Sequence, residues 1–105
     1  MNDLQNKQKE ISELCGFHSD LVSLALGASA ETGELCDYIA KYTKHKIPKP
    51  GDDMSNLREK ISLECADVLV YLLQIANNLE FDLEEVYLKK TETLLKRHAT
   101  TSSRI

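Results

Sequence analysis

Four acidic residues form two pairs, Glu31 with Glu34 and Glu64 with Asp67, each spaced i, i+3 inside the two most apolar segments of the chain. On an α-helix that spacing sends both members of a pair to the same face. An isolated acidic pair is ordinarily a solvated face. Here the first pair is set among Leu26, Ala28, Leu35 and Ile39, and the second among Ile61, Val68, Leu69 and Leu72, so both are carried on helices that must bury most of their surface. Carboxylates brought together in such surroundings repel, resist ionisation and lose hydration, and cations are needed to make the cluster tolerable. A ligand set made of oxygen alone, without Cys or His, suits a hard divalent ion, Mg²⁺ or Mn²⁺. Ca²⁺ fits less well because no loop of backbone carbonyl ligands is apparent.

Each pair belongs to a longer polar stripe. Gly27, Glu31, Glu34, Tyr38, Lys41 and His45 share one helix face, and Lys60, Glu64, Asp67, Tyr71, Gln74 and Asn78 share another. Two consecutive helices packed antiparallel turn these stripes toward each other, and Glu31, Glu34, Glu64 and Asp67 then converge. Gly27 and Gly33 lie inside the first stripe segment, where each costs a helix about 1 kcal/mol relative to Ala. A close approach of backbone or ligand is the expected compensation.

The elements that position these residues are four predicted helices and no strands. The first runs from an Asn2 or Asp3 cap to about Cys15, with Leu4, Ile11 and Leu14 on its apolar side. A connector after Gly16 leads to a second helix, from about Leu21 to Lys44, capped by Ser19 or Asp20. Pro48, Pro50 and Gly51 mark residues 45–53 as a surface loop. Asn56 with Glu59, and Asp82 with Glu85, read as capping boxes that open helices reaching about Leu79 and His98. The expected fold is all-α, one domain over residues 1–98 of four-helix-bundle type, followed by a flexible tail at 99–105. A chain of 105 residues cannot cover so apolar a third helix by itself, so oligomerisation is expected to complete the bundle.

Thirteen basic against seventeen acidic residues give a formal charge of -4, the wrong sign for a binder of duplex nucleic acid. Cys15, Cys36 and Cys65 are odd in number and set among apolar neighbours, which reads as reduced thiols packed in a core. No apolar leader opens the sequence, and no stretch approaches the roughly 20 apolar residues of a membrane span. A cytoplasmic location is expected.

The segments Leu26-Gly27-Ala28-Ser29-Ala30-Glu31-Thr32-Gly33-Glu34-Leu35 and Glu64-Cys65-Ala66-Asp67-Val68-Leu69-Val70-Tyr71-Leu72 resemble the ExxE and ExxD signature of MazG-like, all-α nucleoside triphosphate pyrophosphohydrolases. Similarity at Asp82-Leu83-Glu84-Glu85-Val86 and from Lys90 to Arg97 extends it over roughly residues 21–98. In pattern the chain is closest to the small dimeric or tetrameric MazG-like and dCTP pyrophosphatase branch. The resemblance implies hydrolysis between the α- and β-phosphates of a (d)NTP, giving the monophosphate and pyrophosphate, in the service of nucleotide-pool house-cleaning. It also implies a homodimer or dimer-of-dimers tetramer with shared active sites.

Glu31, Glu34, Glu64 and Asp67 match the family's metal-binding acids, with Glu34 and Glu64 as the catalytic candidates and Glu34 the residue expected to orient or deprotonate water. Lys90 matches a position held by lysine in some branches and asparagine in others, suited to the charge that develops on pyrophosphate. Lys41 and Lys44 are further candidates for phosphate, while Thr93 stands where many relatives have lysine. Some dCTP-preferring relatives use tryptophan against the base, and this chain has none. Tyr71, at a position that is aromatic in the family, and Phe17 with His18 are the candidates left for base contact, beside Tyr38 and Tyr42. Three other readings compete. A di-iron carboxylate bundle needs Glu-x-x-His motifs that are missing here, a non-catalytic helical interaction module would use the acids on a basic partner, and a related enzyme would act on a biosynthetic nucleotide intermediate.

Overall fold

The computed structural model describes residues 2–17 and 20–103, with side chains described through residue 100. Four helices follow in order: α1 (Asp3–Cys15), α2 (Leu21–Tyr42), α3 (Met54–Asn78) and α4 (Leu83–Ser103). No strand occurs among the described residues, so the fold is all-α.

Side-chain caps start the helices where short polar residues meet apolar runs. Asn2 accepts a hydrogen bond from the Gln5 amide at 2.9 Å, and Asp20 accepts one from the Ser23 amide at 2.8 Å. At α3 the cap is Asp53, which accepts from the Asn56 amide at 2.8 Å, so the helix opens ahead of the expected Asn56. An ionised carboxylate facing the first-turn amides is a stronger acceptor than the Asn56 amide oxygen. Asp82 accepts from the Glu85 amide at 3.1 Å, as its position before α4 predicts. Gly16 closes α1 at φ 69°. α2 stops at Tyr42, short of the expected Lys44, because Lys44 itself adopts a left-handed φ of 62°. α4 runs past the expected His98 to Ser103.

α2 packs along α3, α1 lies on α3, and α4 barely touches the other helices. Leu24, Leu57, Leu73 and Ala76 form the buried apolar core. Leu63, Leu69 and Leu72 of α3 are exposed, so within one protomer the third helix is not enclosed all round, as expected of a chain too short to cover it alone. Cys15, Cys36 and Cys65 are likewise exposed free thiols rather than core residues, since the faces that carry them have no neighbour in the protomer.

α1 reverses its expected sidedness. Leu4 and Leu14 are exposed, whereas Gln5 and Gln8 are buried. Gln5 is tolerated inside because its amide is hydrogen-bonded: Nε2 donates to Asn77 Oδ1 at 3.2 Å and to the Phe81 carbonyl at 2.8 Å, and Oε1 accepts from the Leu83 amide at 2.7 Å. The radius of gyration is 17.6 Å, against about 13 Å for a compact chain of this length. The accessible surface is 7924 Å², against about 6,000 Å² for a compact monomer of this mass.

Candidate functional site

The register of α2 against α3 is fixed at three points. Gly27 lies under the Tyr71 ring so closely that a Cβ there would collide with it, Glu31 and Glu34 face Glu64, and the Tyr38 ring faces Lys60 at 5.6 Å. Numbers rise along one helix as they fall along the other, so the pair is antiparallel and the two polar stripes meet as their spacing predicts. Gly27 thus has the close approach expected of it. Gly33 does not: a Cβ there would meet nothing within 4 Å in the protomer.

Carboxylate oxygens of Glu31, Glu34 and Glu64 all lie within 4.8 Å of one another. Glu31 and Glu64 are half-buried and Glu34 is exposed. The Oε2 atoms of Glu31 and Glu64 are shut off from solvent and have no hydrogen-bond partner. Buried acceptors left in this state are rare and costly. The Glu31 carboxyl facing Glu64, with desolvation and then Glu34 adding to it, pushes the Glu64 carboxyl up to about 7. Orphaned, mutually repelling oxygens form a donor set that a hard divalent cation satisfies, so the residues present fit such an ion. Among the described residues, no histidine joins the trio.

Two cavities flank these carboxylates. The smaller, about 290 Å³, is lined by Phe17, Glu31, Asp67, Val70, Tyr71 and Gln74. Asp67 thus shares this cavity with Glu31 but is exposed and outside the close trio. Phe17 and Tyr71 give this cavity aromatic walls, and Gln74 gives it an amide. His18 lies outside the described residues.

The larger cavity, about 550 Å³, opens on the other side, past Glu34, and reaches Lys41, Lys49 and Lys60. Lys41 is buried and pairs with Asp37 at 3.0 Å. Lys60 pairs with Asp52 at 3.1 Å, and Lys46 also pairs with Asp37. Its two lysines, Lys46 first, hold the Asp37 carboxyl down at about 2. Lys60 is read from the sequence only as a member of the polar stripe, one turn before Glu64, and not as a site residue; Asp37 is not singled out, and Lys49 and Asp52 sit on a loop that has no periodicity to read. Lys44 is exposed beyond the end of α2, and Lys90 is exposed on α4 and lines neither cavity.

Among the described residues, no helix is long and apolar enough to cross a membrane. The family model described as MazG nucleotide pyrophosphohydrolase domain matches residues 20–102. No curated protein and no solved structure matches the chain.

Proposed function

Because the chain belongs to the MazG nucleotide pyrophosphohydrolase family, we propose that it hydrolyses the α–β phosphate bond of (d)NTPs with Mg²⁺, giving (d)NMP and pyrophosphate, and so clears surplus or unwanted nucleotides in the cytoplasm. The observation that carries this reading is the convergence of Glu31, Glu34 and Glu64 with two buried, unpartnered oxygens on facing helices. Glu31, Glu34 and Glu64, with Asp67 beside them, hold the metal. When bound, it neutralises the triphosphate, polarises phosphorus and lowers the pKa of water, Mg²⁺ being preferred and Mn²⁺ a substitute.

The chain's own groups supply position. Glu34, at the border between the trio and the larger cavity, orients the attacking water and accepts its proton. Glu64 keeps the second helix's oxygen aimed at the same point. Phe17 and Tyr71 wall the cavity that takes the base, with His18 adjoining in sequence, and the Gly27 seat keeps the Tyr71 ring in place.

Self-association belongs to the same reading. The surface in excess of a compact monomer exceeds what one partner contributes to an ordinary interface, about 800 Å². An apolar groove of about 560 Å³ between Leu4, Leu69, Leu72 and Tyr87 is part of that surface. A homodimer, or a dimer of dimers, buries it, and α4 then carries Lys90 toward a neighbouring chain's site.

A panel of deoxy- and ribonucleoside triphosphates, assayed with Mg²⁺ for pyrophosphate and orthophosphate separately, tests the reaction. Pyrophosphate and monophosphate in equal amounts are expected, and Glu64→Gln should lower turnover by roughly 10²–10³-fold or more while the helical circular-dichroism signal persists. Release of orthophosphate alone, or no product from any nucleotide, overturns the proposal.

A further inference from the structure

The cavity beyond Glu34 is lined by three lysines from three separate segments: Lys41 from α2, Lys49 from the connecting loop and Lys60 from α3. An ammonium carries three protons to donate. Lys41 shows one carboxylate partner, Asp37, and Lys60 one, Asp52, while the Lys49 ammonium pairs with no carboxylate among the described residues, its backbone amide alone donating to Asp52. Donors are therefore left over. The ring of Tyr38 lies 5.3 Å from the Lys41 ammonium and 5.6 Å from that of Lys60, a contact that holds both charges without using a proton. The Lys41 side chain is only 4% exposed, so water reaches it poorly.

Gly33 lines the same cavity, and nothing in the protomer occupies the place of its missing side chain. A glycine inside a helix costs about 1 kcal/mol relative to Ala, and no packing within the chain offsets it here. What the glycine does provide is open space directly beside Glu34.

We propose that this cavity seats the pyrophosphate portion of the nucleotide, with Lys41, Lys49 and Lys60 donating to its oxygens. The inference rests on the pyrophosphohydrolase reading above and adds where the leaving group lies. In the reaction the water oxygen bonds to the α-phosphorus as the bond from that phosphorus to the α–β bridging oxygen breaks. The electron pair of the broken bond departs on pyrophosphate, and the water proton passes to Glu34. Negative charge thus grows on the departing oxygen, opposite the attacking water, and lysines already placed to donate to pyrophosphate meet it without reorganisation. Asp37 and Asp52 are positioning residues that keep the lysines forward before substrate arrives. With Glu34, Asp37 and Asp52 balancing the three lysines, the cavity has little net charge of its own. Free pyrophosphate is therefore expected to bind only together with Mg²⁺.

Titration calorimetry of pyrophosphate plus Mg²⁺, and separately of nucleoside monophosphates plus Mg²⁺, tests the assignment on the full chain. Lys60→Met and Lys49→Met should each weaken pyrophosphate binding about tenfold or more, as expected for a lost charged hydrogen bond, with monophosphate affinity unchanged. Lys60→Arg should restore part of the loss. Lys41→Met should act in the same direction, and if burial of that side chain makes the variant unfold, the other two carry the test. Unaltered pyrophosphate affinity in folded Lys60→Met and Lys49→Met, or an equal loss for the monophosphate, overturns the assignment. If the wild type hydrolyses triphosphates but these affinities do not depend on lysine, the seat is wrong and the reaction stands. If it hydrolyses none yet binds pyrophosphate through these lysines, the seat stands and the reaction is wrong.

Discussion

The interface between α2 and α3 is two different environments joined end to end. Around Glu31 and Glu64 it is anionic and closed, with the Tyr71 ring pressed on Gly27 behind the carboxylates. Roughly two to three helical turns farther along α2, around Asp37 and Lys41, Asp37 and Asp52 each have a cation and the surface opens into a cavity. The same polar stripe thus carries a cluster whose charges are uncompensated and one whose charges are matched. A knot of carboxylates calls for a cation, whereas lysines with protons to spare can still donate, and the contrast supports the proposed placement of a metal at the first and of a substrate's anionic end at the second.

The two glycines offer the sharpest way to break this contrast. Gly27→Ala forces a Cβ against the Tyr71 ring and should cost about 1–3 kcal/mol of stability in thermal or urea melts, with a raised KM because the displaced ring borders the smaller cavity. Gly33→Ala meets nothing in the protomer and should gain up to about 1 kcal/mol in the same melts while weakening nucleotide binding. Equal stability changes of the same sign would erase the distinction between a closed end and an open one.

The pH dependence of the metal-free protein should separate the environments by sign. Glu64 stands at about 7 when folded against 4.5 as an isolated carboxyl, so its contribution to stability is complete below 4.5 and is lost as pH rises through 7. Asp37 is held at about 2 against 3.8, so its contribution is present above 3.8 and is lost as pH falls through 2. Melting temperatures should therefore decline on both flanks. Glu64→Gln should flatten only the neutral flank, Asp37→Asn only the acid one, and Mg²⁺ at pH 8 should recover what the neutral flank lost. A neutral flank indifferent to Glu64→Gln would remove the carboxylate repulsion from the account.

Helix periodicity made the trio legible, because Glu31, Glu34 and Glu64 owe their meeting to register alone. The lysine cluster was half legible. Lys41 and Lys60 follow the stripes, but Lys46, Lys49 and Asp52 return to them from a loop whose path no spacing encodes. Gln5 and Gln8 look like solvated residues in a sequence, and what places Gln5 inside is a set of hydrogen bonds to Asn77, Phe81 and Leu83, more than seventy positions away. The exposed cysteines misled for a related reason. Apolar composition says that a surface will be covered, but not whether the cover comes from the same chain.

The Gln5 amide bridges the turn between α3 and α4, receiving the first amide of α4 while donating to the carbonyl two residues earlier. The direction in which α4 departs is thereby tied to a group contributed from the opposite end of the polypeptide. Since α4 otherwise stands almost alone, that one carboxamide acts as a polar hinge pin and sets the angle at which the last helix leaves the rest of the protomer.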